Sequence, residues 1–163
     1  VVNGGQAGQD ALTLSPFLIF PNAGDLPNPL AINFGNQAEL AGYNMDRRAV
    51  AAGDSITLTL YWRGLRSMRT NYSVFAHVRG QGESLWAQSD SWPQDGAAPT
   101  TAWTPGQLVE DTRALTLKPD TAPGVYDIEV GLYNERGDRL QIILPDGRRA
   151  DNFVYLSKIR VLP

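Results

Sequence analysis

Residues 115–133 read Leu-Thr-Leu-Lys-Pro-Asp-Thr-Ala-Pro-Gly-Val-Tyr-Asp-Ile-Glu-Val-Gly-Leu-Tyr, and this stretch decides the fold. A short strand is expected to end at Leu117, because Pro119, Pro123 and Gly124 break the ladder and turn the chain. From Val125 the residues alternate, with Tyr126, Ile128, Val130 and Leu132 on one face. Val125, Asp127, Glu129 and Tyr133 take the other face, with Gly131 among them. Period-2 alternation predicts a strand with one face buried against a second layer.

A Pro-Gly corner followed at once by tyrosine resembles the tyrosine corner of immunoglobulin-like sandwiches, whose hydroxyl bonds back to the corner backbone. Similar patterns recur outward from this stretch. Ser55 to Arg63 alternates cleanly, with Ile56, Leu58, Leu60 and Trp62 on the face expected to be core. Leu30 to Phe34, Ala38 to Asn44, Tyr72 to Val78, Leu85 to Ser91 and Leu108 to Leu117 also read as strands. Leu140 to Leu144 and Phe153 to Leu162 close the chain, the latter with a parity slip between Leu156 and Ile159 that fits a bulge. Gly80-Gln81-Gly82 and Asn134 to Asp138 read as hairpin turns, and Pro145-Asp146-Gly147 as another turn. The expected fold is all-β: a two-sheet, immunoglobulin-like or jelly-roll-like β-sandwich of about nine short, mainly antiparallel strands. Residues 1–11, rich in Gly and Gln, are expected to be a flexible lead-in. Residues 12–163 then make one sandwich domain, opening on a strand-like Leu12 to Phe20 that Pro16 interrupts and a proline-rich loop from Pro21 to Pro29.

The 163 residues carry a net charge of −3, with 42% hydrophobic and 19% charged residues. That is a globular composition without a basic footprint for nucleic acid. No cysteine is present, which excludes disulfides and thiol chemistry. The chain starts at Val1 and shows no run of about 18 apolar residues. It is expected to be a segment of a longer protein.

Serine-histidine-acid catalysis needs a base beside a nucleophile. The single histidine, His77, lies within a strand pattern, and no Gly-x-Ser-x-Gly elbow occurs. One histidine and no cysteine make a transition-metal site unfavourable, and no cofactor is expected. The strongest unusual feature is the stretch from Gln88 to Asp111, which reads as a long loop holding Trp92 and Trp103. Two readings stand side by side. The tryptophans can stack on sugar rings, with Asp90, Asp95 and Asp111 binding hydroxyls. Alternatively, both anchor the loop on the sandwich while Asp90 and Asp111 accept bonds from its backbone amides. The same three acids are the candidates for a structural calcium and, joined by Glu110, for paired-carboxylate glycoside hydrolysis.

Several fragments share an order. They include Asn33-Phe34-Gly35, Leu40-Ala41-Gly42-Tyr43, Leu58-Thr59-Leu60-Tyr61-Trp62-Arg63, Tyr72 to Val78, Gln88-Ser89-Asp90, Pro105-Gly106, Pro123-Gly124-Val125-Tyr126 and Gly131-Leu132-Tyr133. Together, over about residues 30–162, they resemble the soluble β-sandwich modules found at the end of multi-spanning bacterial membrane proteins. Those proteins look like dolichyl-phosphate-mannose-type protein mannosyltransferases, and Chloroflexus-like bacteria carry many of them. The resemblance implies a non-catalytic, extracytoplasmic accessory module of a membrane-anchored, glycosyltransferase-like parent. It implies no catalytic residues. Its expected role is binding or positioning a glycan, an acceptor or a protein partner. The alternatives are a purely structural or protein-interaction module and, third, a small glycan-active enzyme using the acids near the loop.

Overall fold

The computed structural model describes residues 25–163. The lead-in expected over 1–11, the strand expected from Leu12 to Phe20 and most of the loop after it lie outside the described residues. Ten strands form: β1 (Pro29–Phe34), β2 (Ala38–Met45), β3 (Ala49–Val50), β4 (Ser55–Gly64) and β5 (Tyr72–Arg79) lead. There follow β6 (Leu85–Ser91), β7 (Leu108–Thr116), β8 (Gly124–Asn134), β9 (Ile142–Ile143) and β10 (Val154–Val161). They make two five-stranded sheets, ordered β7-β4-β2-β1-β9 and β3-β10-β8-β5-β6. This is a two-sheet β-sandwich. Among the described residues every pairing is antiparallel except that of β10 with β3.

Alternation determines what faces inward. Ile56, Leu58, Leu60 and Trp62 of β4 are fully enclosed, and Trp62 meets Phe34 edge-on at 5.7 Å. Opposite them, Ile128, Val130 and Leu132 of β8 are equally enclosed, with Tyr126 almost so. The Tyr126 hydroxyl donates to the Ala122 carbonyl at 2.7 Å, so the corner before β8 is tied by its own tyrosine.

Two bulges reconcile parities that strict alternation leaves in conflict. In β2 the register shifts between Leu40 and Gly42, so Leu40 and Tyr43, three residues apart, both reach the core. In β10 it shifts between Tyr155 and Ser157, beside the parity slip seen in the sequence.

The structure corrects several expectations. β3 has no counterpart among the expected strands; it is two residues long and borrows its order from β10, whose Arg160 N–H donates to Arg48 O at 2.8 Å. The strand expected from Leu140 to Leu144 shrinks to β9 and leaves its hairpin. Leu140 still donates to Leu132 O, but Gly35 donates to Gln141 O, so the chain changes sheets between residues 140 and 141. Finally, the loop expected from Gln88 to Asp111 contracts to residues 92–107. β6 runs to Ser91, β7 begins at Leu108, and 3-10 turns occupy Pro93–Gly96 and Thr100–Ala102.

Candidate functional site

The shortened loop is pinned from beneath by an ion pair. Alternation along β7 turns Asp111 and Arg113 inward, where both are buried. Arg113 Nε–H donates to Asp111 Oδ2 at 2.7 Å. Its two remaining nitrogens reach across to the other sheet, donating to the carbonyls of Val74 (3.2 Å), Ser89 (3.3 Å) and Ser91 (3.0 Å). Asp111 Oδ1 accepts the Gln94 backbone N–H at 2.8 Å, and the Gln94 amide donates to Glu110 O. This bond helps hold Gln94 and Asp95 at φ of 54° and 51°, in the left-handed region that non-glycine residues seldom adopt.

The two loop tryptophans have different fates. Trp103 is buried at 3% exposure, and its Nε1–H donates to Ala98 O at 2.9 Å. Trp92 is 43% exposed. It sits in the bend just past β6, a strand whose Gln88 and Asp90 are exposed whereas Ala87 points into the core. Asp90 bonds no loop amide; its Oδ1 lies 2.8 Å from His77 Nε2. Asp95 is exposed and accepts from the Ser91 hydroxyl at 3.2 Å. Asp90, Asp95 and Asp111 therefore do not converge, and no three His, Cys, Asp or Glu side chains cluster as metal ligands among the described residues.

What does assemble is the outer face of the second sheet. Register puts Tyr155, Glu129, His77 and Gln88 in one row across β10, β8, β5 and β6, a span of about 14 Å at ~4.8 Å per strand. Phe75, one pair along, lies over Gly131: a Cβ built on that glycine would sit 2.3 Å from Phe75 Cζ. The Phe75 ring also packs against His77 (5.1 Å) and Tyr133 (6.2 Å), and the Arg139 guanidinium lies 4.2 Å above it. His77, Phe75 and Glu129 are consequently buried although they face away from the core. His77 Nδ1 is enclosed and meets no hydrogen-bond partner among the described residues.

Beside this row opens a cleft of about 470 Å³, lined by Arg79, Glu83, Glu129, Arg139, Phe153 and Tyr155 with Gly80 and Gly82. Glu129 accepts from Arg79 Nε–H at 3.0 Å and from Arg139 Nη1–H at 3.3 Å, one guanidinium on each oxygen. Sequence reasoning did not single out Arg79, Glu129 or Arg139. The signal present was a histidine and a glutamate at the centres of two strands, on the faces that alternation turns away from the core.

No family model and no curated protein matches the chain. Among solved structures it is similar to Spo0M, a sporulation control protein from Bacillus subtilis, at 14% sequence identity and a TM-score of 0.34. The alignment covers 81% of this chain and 49% of that one, so the chain spans about half the length of the protein it matches. A likeness at this level carries no argument about function.

Proposed function

We propose that the chain is a non-catalytic binding module that takes a glycan on the outer face of its second sheet. The observation that carries this reading is Trp92: a large indole left 43% exposed in the bend that directly follows the strand bearing Gln88 and Asp90. Exposed aromatic faces beside amide and carboxylate groups suit a sugar, which has apolar C–H faces and hydroxyl edges. A binding rather than catalytic role is supported by the state of the acids and the histidine. Glu129 gives both oxygens to arginines, and His77 gives Nε2 to Asp90 while no nucleophile among the described residues meets Nδ1. In the setting that the sequence resemblance implies, the module lies outside the membrane. There it positions a glycan, acceptor or partner for a glycosyltransferase-like parent. Among the described residues no helix is long and apolar enough to cross a membrane. The tied Tyr126 corner favours an immunoglobulin-like over a jelly-roll-like description of the sandwich.

A second reading, a structural or protein-interaction module, is favoured by the enclosed Trp103 and Asp111, which hold the loop in place. Titration against a neutral and acidic glycan panel, followed by tryptophan fluorescence, separates the two. The glycan reading expects saturable binding that Trp92→Ala removes with the fold intact. Trp103→Ala is expected instead to destabilise the fold by about 3–5 kcal/mol. No response to any glycan leaves the second reading.

A further inference from the structure

The geometry points to a sugar-acid subsite in the cleft beside Glu129, with the carboxylate of a uronic-acid residue on two guanidiniums and its ring against Tyr155. This deepens the glycan reading above and rests on it. The cleft's volume, about 470 Å³, lies within the ~300–1,000 Å³ usual for small-molecule sites.

Each guanidinium offers five N–H donors in a rigid fork. Arg79 directs one to Glu129 and one to the Glu83 carbonyl, at 3.0 and 2.9 Å. Arg139 directs one to Glu129. The remaining donors meet no other protein acceptor among the described residues, and the two side chains are 24% and 31% exposed toward the cleft. Enclosed Glu129 balances one of the two cations; the second carboxylate of the lining, Glu83, is exposed, so solvent screens its charge more than it screens the floor. A planar donor fork fits the two oxygens of a carboxylate better than any single hydroxyl.

The fork is also preorganised. Glu129 fixes both arginines, and Arg139 is further held 4.2 Å over the Phe75 ring. Little side-chain freedom remains to be lost on binding. Apart from Glu83 and the two glycines, the rest of the lining is aromatic: Phe153 and Tyr155 meet edge to face at 5.1 Å, and Tyr155 is 55% exposed. An anion cradle beside an exposed ring suits a ligand that joins a carboxylate to an apolar ring face. A neutral sugar leaves the fork without its anion, and an acidic peptide leaves the aromatic wall unused.

The test uses the intact protein, titrated separately with methyl glucuronide, its uncharged methyl ester, and acetate. Binding is read from the Arg79 and Arg139 Nε–H resonances. The expected result is saturable binding of the glucuronide about tenfold or more tighter than either comparator, weakening as salt rises. Arg79→Gln and Arg139→Gln should each weaken it by about tenfold or more. Equal binding of acid and ester, equal binding of acetate, or acid binding that survives both substitutions overturns the subsite. The glycan reading then stands if neutral glycans still perturb Trp92 fluorescence. If no glycan of either kind produces a response, both fall. Because the ligand comparison is made on the unaltered chain, poor folding of either variant does not blunt it.

Discussion

Gly131 is small because of a ring. A glycine inside a strand normally weakens it, and alanine there is normally a gain. Here the added methyl would meet Phe75 Cζ at 2.3 Å and Asn152 O at 2.9 Å, the second of which is backbone and cannot turn aside. Gly131→Ala is therefore expected to cost about 1–3 kcal/mol in urea unfolding. Adding Phe75→Leu should recover part of that loss, since it removes the closest clash. Alternation assigned Gly131 its face but gave no sign of the ring lying on it. Tyr61 offers a test through pH. Burial, then the charge of Glu110 paired across the ladder, pushes its phenol above the ordinary value of 10.0. A raised value means the folded state favours the neutral phenol. The associated stability is present below pH 10.0 and is lost as pH rises through the folded-state value. Tyr61→Phe is expected to flatten the alkaline limb of the stability curve, and ultraviolet titration of the phenolate checks the direction. Asp46 runs the opposite way. Burial pushes its carboxyl up, but bonds from the Thr57 amide and Arg47 outweigh it, so its contribution fades as pH falls below 3.8.

The segment 92–107 and strand β7 behave as one element. Asp111 holds the Gln94 amide, and Arg113 holds Asp111 together with three carbonyls of the facing sheet. Removing the guanidinium strands an enclosed carboxylate, so Arg113→Met is expected to cost about 3–5 kcal/mol. Hydrogen exchange at the amides of residues 92–98 should accelerate in the same variant. Long strands were legible in the sequence because alternation sustained along a whole strand rarely arises by chance; β4 and β8 are the cases in point. β3 was not, since two residues carry no period and its order comes from β10. Nor was the change of sheet after Leu140, which depends on Gln141 finding Gly35 more than a hundred residues earlier in the chain. The division between Trp92 and Trp103 was equally hidden. Both sit among prolines and polar residues, and only the carbonyl of Ala98 beneath one of them separates their roles.

Across the whole molecule, the sheets join distant parts of the chain. β4 pairs with β7 from Ser55↔Thr116 to Arg63↔Leu108, and β5 pairs with β8 from Tyr72↔Asn134 to Arg79↔Asp127. Such pairings lose loop-closure entropy before they return contacts, so folding is expected on the scale of about milliseconds to seconds. Stopped-flow fluorescence, with Trp62 as the core reporter, measures it; a microsecond phase carrying the full amplitude contradicts the expectation. The cleft was illegible for the same reason. Arg79 lies 50 residues from Glu129, and although Arg139 follows Glu129 by only 10 across a turn, alternation assigns a face without naming the neighbour across the ladder. The buried pair of Arg113 and Asp111 carries a further consequence for descent. Stability margins are about 5–15 kcal/mol, and losing either partner alone removes a large part of one. Lineages that drift by single substitutions meet a valley on both sides of that pair. Descendants of this chain are therefore expected to inherit both charges, or to have exchanged both for apolar residues, with one-charge forms selected away.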